Sequence, residues 1–343
     1  MKKSIFIFGC ILLANACVNA QTNSEYNISK KISVEGDGGW DYLTMDDSTG
    51  RLFVSHGTQV QVVDVKQGKV IATISNLHGV HGIALAPEFN KGFITNGKDS
   101  SVTIFDLKTY ATLANVKVTG ANPDAILYDA FSKKVFIYNG RTSNATVMDA
   151  STNKIVATIP LDGKPEFSVS DGKGKVYVNI EDKSEISVIN SSTLKVEKTW
   201  SIKPAEEPSG LALDNVNHRL FAVCDNKLMA VVDAESGKVI TTLPIGVGVD
   251  GAAFDPSLKR AYSSNGDGTM TVVQEENANS FKVLENVPTQ KSARTIAVDK
   301  KTHHIYLPAA EFGETPPKNT ENQHPRPSIK PNSFVILDVH VIK

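Results

Sequence analysis

Trp40-Asp41-Tyr42-Leu43-Thr44-Met45-Asp46 is the first of seven versions of one short phrase. The others are His81–Pro87 (HGIALAP), Asp124–Asp129 (DAILYD), Glu166–Asp171 (EFSVSD), Ser209–Asp214 (SGLALD), Asp250–Asp255 (DGAAFD) and Arg294–Asp299 (RTIAVD). Their last positions lie 41, 42, 42, 43, 41 and 44 residues apart. A fixed period in this range marks a repeat array, and a unit too small to bury its own apolar face must stack on its neighbours.

Each unit repeats the same beats. An apolar, small-residue phrase comes first. A turn with a basic residue leads to a strand carrying one aromatic: Phe53, Phe93, Phe136, Tyr177, Phe221, Tyr262 or Tyr306. A third strand then ends at Asp64, Asp106, Asp149, Asn190, Asp233, Gln274 or Asp338, and an alternating outer strand such as Val239–Leu243 follows. Four strands in about 42 residues make one propeller blade. The expected fold is all-β: a seven-bladed β-propeller with four antiparallel strands per blade and minimal helix. The seventh repeat has no outer strand, and the segment 28–34 has no repeat of its own. Pairing the two closes the ring and removes an open sheet edge.

Here the chain resembles the YVTN-repeat seven-bladed propellers, which include the YncE-like secreted bacterial proteins and share the WD40-like blade. The resemblance covers residues 28–343 and rests on phrases such as Phe93-Ile94-Thr95-Asn96-Gly97, Tyr177-Val178-Asn179 and Val102-Thr103-Ile104-Phe105-Asp106. It implies the fold strongly and a function weakly, because related propellers serve both as binding modules and as enzymes. Some members are associated with single-stranded DNA. That role is not expected here: 36 basic against 37 acidic residues, scattered along the chain, leave no basic footprint.

Lys2 and Lys3, the apolar run 5–14 and the small residues Val18-Asn19-Ala20 read as a signal peptide over 1–20. A single domain over 21–343 is then expected in the periplasm or outside the cell, as a monomer without a membrane span. Lipidation at Cys17 is the alternative, although Ala14 stands where such signals carry leucine. Cys10 and Cys17 leave with the leader, so Cys224 has no partner for a disulfide and reads as a small buried residue.

In a propeller, the loops entering the inner strands open on the same face as those joining the second and third strands. The first set places Asp41, His81, Asp124, Glu166, Ser209, Asp250 and Arg294 around the channel mouth. The second set adds His56, Asn96, Asp99, Asn139, Arg141, Asn179, Glu181, Asn226, Asn265, Asp267 and Glu311. All are expected to face one funnel. From these, the candidate ligand-binding residues are Asp41, His81, Asp124, Glu166, Asp250, Arg294, Asn139, Arg141 and Glu311. An acidic ring around a narrow axis needs a compensating cation. His56, His81 and Asp41 form a candidate divalent metal set, and His56 and His81 are the candidate catalytic groups. Arg294 and Arg141 could hold a substrate carboxylate.

Plainer duties compete. The Asn-Gly pairs at 96–97, 139–140 and 265–266 suit type I′ turns with positive φ, the strand-ending aspartates suit turn capping, and the ring of polar residues could merely solvate a channel. Trp40 could stack a ligand or plug the seam between the first and last blades. The Pro-rich stretch 308–333 is far longer than its counterparts and could close over the mouth as a lid, carrying His324 and Arg326. The leading expectation is non-catalytic binding of a small polar ligand or cation in the funnel, with no cofactor beyond that divalent metal. A metal-assisted lyase or hydrolase acting on an acidic saccharide or small metabolite is the alternative, and a protein-interaction platform is a third.

Overall fold

The computed structural model describes residues 24–36, 38–317 and 327–342. The expected leader over 1–20, with Cys17, and the residues His324 and Arg326 lie outside them. Seven four-stranded antiparallel sheets form the blades, and no α-helix occurs among the described residues. The only helical turns there are two short 3₁₀ segments, Pro87–Phe89 and Glu181–Lys183. Blade 1 runs through Trp40–Asp46, Arg51–His56, Gln59–Asp64 and Lys69–Ile74. Blade 7 is assembled from Ala297–Asp299, His304–Ala309, Val335–Val341 and, as its outer strand, Tyr26–Ser33. The ring therefore closes as the unpartnered segments require.

The repeating aromatics all go inside. Phe53, Phe93, Phe136, Tyr177, Phe221, Tyr262 and Tyr306 are each at most 2% exposed. They fill the gaps between neighbouring blades: Tyr306 packs with Leu43 and Leu52 of blade 1, and Phe221 stacks on Phe254 of blade 6 at 5.3 Å. Burying an aromatic of this size stabilises by about 2–3 kcal/mol, which is how the ring holds without a disulfide. Cys224 is free and fully buried, and burial pushes its thiol up to about 12.

The third-strand aspartates cap the turns that follow. Asp106 accepts from the backbone N–H groups of Lys108 and Thr109, and Asp149 from those of Ser151 and Thr152. The Asn-Gly pairs correct the type I′ expectation. None of their six residues has a positive φ; Ser100, Ser143 and Gly268 take that conformation instead. Asn96, Asn139 and Asn265 are buried and turned inward, bonding Thr103, Thr146 and Thr271 of the adjoining third strands.

Candidate functional site

In blades 1 to 6 the inner strand carries one extra residue just after its first pair with the second strand. Trp40 pairs with His56 but Leu43 with Val54; Val80 pairs with Asn96 but Ile83 with Ile94. The same break follows Pro123, Pro165, Pro208 and Val249. Such a bulge re-aims a side chain. Asp41, His81, Asp124, Glu166, Ser209 and Asp250 all occupy the break. Arg294 takes the same place in the loop before the short inner strand of blade 7.

Side chains of the preceding blade pin these backbones. Thr295 Oγ1 donates to Asp41 O (2.7 Å), Thr95 Oγ1 to Asp124 O (2.6 Å), Asn179 Nδ2 to Ser209 O (3.0 Å) and Ser264 Oγ to Arg294 O (2.6 Å). Gly97 provides the space for the His81 ring: a Cβ there would stand 2.8 Å from His81 Nε2.

The result is a chain of charges around most of the mouth. Arg294 pairs with Asp250 and lies 3.8 Å from Asp41 Oδ1. Asp41 Oδ2 lies 2.6 Å from His81 Nδ1, and Asp124 Oδ1 lies 3.7 Å from the same nitrogen. On blade 4, Lys164 joins Glu166 (2.7 Å) and Glu181. Five carboxylates thus face two permanent cations and one imidazole.

Burial, then the Asp41 charge, push Asp124 up to about 6. Burial and the Asp124 charge push Glu166 up to about 7. Lys164 gains by the contact, held above its ordinary value against desolvation by its two carboxylates. Its hydrogen bond and charge pull Glu166 downward, but burial and the Asp124 charge outweigh them. For His81, burial works downward, but the Asp41 hydrogen bond and the charges of Asp124, Asp41 and Glu166 outweigh it and hold the imidazole above its ordinary value.

Beneath the mouth, Tyr42 of blade 1 meets Phe167 of blade 4 with ring centroids 5.3 Å apart. These blades stand on opposite sides of the ring, so the two rings close the channel below the charges. Burial raises the Tyr42 hydroxyl well above its usual value, and the nearby Glu166, Asp124 and Asp41 charges raise it further. The wall below mixes apolar residues such as Leu43, Ile83, Ile126 and Ala253 with polar ones such as Thr44, Ser170, Asp47 and Lys300.

The second set of loop residues does not join this funnel as expected, Glu181 excepted. His56 is buried, with Nδ1 3.0 Å from Gln61 Oε1 and its ring 4.2 Å from that of Phe334. The three groups that converge are Asp41, His81 and Asp124, each with a ligand atom within 4.8 Å of the other two. Asp124 stands where His56 was expected. Asn139 is occupied inside blade 3. Arg141 is exposed, with no ion pair among the described residues. Glu311 is exposed and pairs with Lys330 (3.1 Å) at the base of the long loop. Asp99, Asn226 and Asp267 make local loop bonds, and Ser209 Oγ donates to Val249 O.

That loop base forms a ribbon, with Phe312 bridged to Ile329. Trp40 packs between it and the seam, 5.1 Å from Phe334 and 6.1 Å from Phe312, and so fills the plug role. It also lines a cavity of about 830 Å³ with Phe312, Phe334, Ile329 and Arg294. Lys164, Tyr42 and Phe167 were missed as site residues. Lys164 lies outside the repeated phrase, and the partnership of Tyr42 with Phe167 spans 125 positions and three blades.

No family model matches the chain, and no curated protein matches it. Solved structures do. A structure titled as Kuenenia stuttgartiensis hydrazine synthase aligns at 17% identity and a TM-score of 0.69, over 80% of this chain and 94% of that one. The structure of U3-55K aligns at 9% identity and a TM-score of 0.75, over 90% and 97%. At these identities the likeness shows the propeller fold alone.

Proposed function

We propose that this chain is an exported YVTN-type propeller that holds a small cation at its top-face funnel without turning it over. The cation is a divalent metal or the ammonium group of a small molecule. One observation carries the reading: Asp41, His81 and Asp124 converge within 4.8 Å inside a ring where carboxylates outnumber permanent cations. Burial and the Asp41 charge hold the Asp124 carboxyl above its ordinary value, and the neighbouring carboxylates hold the His81 imidazole above its own against burial, so both keep protons to higher pH than usual. A cation would replace those protons, so binding should tighten from pH 5 to pH 8. One imidazole with two carboxylates suits a borderline ion such as Mn²⁺ or Zn²⁺.

Thermal melts and calorimetry with Mn²⁺, Zn²⁺ and methylammonium at pH 6 and pH 8 test this. The expected result is stabilisation by one of them, stronger at pH 8 and lost in the Asp124→Ala/Asp250→Ala double variant. A wild-type melt unmoved by all three refutes it.

A second reading is acid–base turnover of an acidic small molecule, favoured by Asp124 and Glu166 titrating at about 6 and about 7 beside Arg294 and Lys164. It predicts that His81→Ala abolishes product formation while the melt stays nearly unchanged. If neither result appears, an interaction platform on the outer blade surfaces is the reading left.

A further inference from the structure

At the opposite end of blade 7, His304 opens the second strand and Asp338-Val339-His340 closes the third. Ile305 pairs with Val339, so His304 and His340 are cross-strand neighbours, and Asp338 lies diagonal to His304 on the same face. His304 Nδ1 lies 2.6 Å from Asp338 Oδ1, and the two imidazole centroids are 4.7 Å apart. Each of the three residues brings a ligand atom within 4.8 Å of the other two.

Comparison with the other blades separates this cluster from a structural pair. Arg51–Asp64, Lys134–Asp149 and Arg219–Asp233 pair residues directly opposite each other at the same end of the second and third strands, where blade 7 sets His304 opposite His340 and holds its aspartate on the diagonal. In those blades a permanent cation meets an aspartate whose remaining lone pairs are filled by the turn it caps, as Asp149 is by Ser151 and Thr152. Blade 7 has no such turn, because its outer strand comes from the other end of the chain. No backbone N–H bond to the Asp338 carboxylate is found among the described residues, and the permanent cation is replaced by an imidazole. A second imidazole stands two residues on, and its Nδ1 is buried without a hydrogen-bond partner. Leaving a buried polar atom unsatisfied costs about 1–3 kcal/mol. Lys30, which pairs with Asp338 in register, directs its ammonium to Gln67 O (3.4 Å).

We infer that His304, Asp338 and His340 form a second metal site, for a first-row transition ion of the zinc class, distinct from the funnel. Two imidazoles and one carboxylate on one face of a strand pair are a three-ligand set for such an ion, with water completing the shell. The ion satisfies the orphaned His340 nitrogen and takes the place of the proton shared by His304 and Asp338. It fixes the third strand beside its pairing with Tyr26–Ser33, where Asn27 faces His340 and the ring closes.

The test is calorimetric titration of the chelator-stripped full chain with Zn²⁺, in wild type, His340→Gln and His81→Ala. His340→Gln should lose one equivalent that His81→Ala keeps, and Zn²⁺ should raise the melting temperature of His81→Ala but not of His340→Gln. Undiminished stoichiometry in His340→Gln overturns the site. If His340→Gln does not fold, His81→Ala decides alone: one equivalent with a raised melt supports the site, and no zinc uptake overturns it. Loss of the His81-dependent equivalent alone would count against the funnel reading and leave this one standing.

Discussion

Replacing Asp124 by asparagine should make the protein more stable and less able to bind. Burial, with the Asp41 charge, holds this carboxyl at about 6 rather than its ordinary 3.8. The difference corresponds to about 3 kcal/mol between the ionised and neutral forms. The sign follows from the raised value. Below about pH 4 the group is protonated both folded and unfolded and costs nothing; between about 4 and 6 the unfolded chain releases the proton that the folded state still holds, so stability falls across that window and levels off once both are ionised. Asparagine never ionises. Asp124→Asn should therefore match wild type at pH 4 and exceed it at pH 8. Some of the gain is offset because His81, 3.7 Å away, loses a charge that favours its protonated form. About 1–3 kcal/mol should remain, which for a domain of this size is roughly 2–5 °C in melting temperature. Melts of both proteins from pH 4 to pH 8 without added cation give the curve. The same variant should lose the cation-induced shift. A wild-type minus variant difference that stays flat across this range, or a variant less stable at pH 8, would refute the account of the carboxylate as a charge held at a cost for function.

Gly97→Ala should fold but push the His81 ring aside, since the new methyl would lie 2.8 Å from Nε2; a roughly tenfold weaker cation affinity, about 1.4 kcal/mol by calorimetry, is expected. Thr295→Val removes the hydroxyl bonded to Asp41 O and should cost about 1 kcal/mol in urea unfolding. Cys224 should resist a thiol reagent in the native protein and react fully once unfolded, because burial pushes its thiol up to about 12.

The architecture was legible because it is periodic. The 41–44-residue spacing, the single aromatic per second strand and the two unpartnered end segments are local signals that repeat, and repetition averages out the ambiguity of any one strand. The first ring of site residues was legible for the same reason: a bulge at a constant place in each phrase sets where Asp41, His81 and Asp124 point. The second ring was not. Asn139 and His56 turn onto their own blades, Asn139 to Asn144 and Thr146 and His56 to Gln61, and in a strand one residue decides which way a side chain turns. Lys164 and the Tyr42–Phe167 contact escape any local pattern, since only closure of the ring brings blades 1 and 4 face to face. The His304–His340 pair was hidden by strand pairing: 36 positions separate two residues that the ladder makes neighbours.

The closing strand has a further consequence for how the molecule is handled and displayed. Ile342 donates its backbone N–H to Glu25 O at 2.6 Å, so both ends of the folded ring meet at one point. By strand direction, that point lies on the face away from Asp41, His81 and Asp124. A tag, a surface linker or a fused domain at either end would leave the mouth unobstructed. The two ends could also be joined by a few residues and the chain reopened in an exposed outer turn such as 235–237, giving a permuted ring with the same funnel.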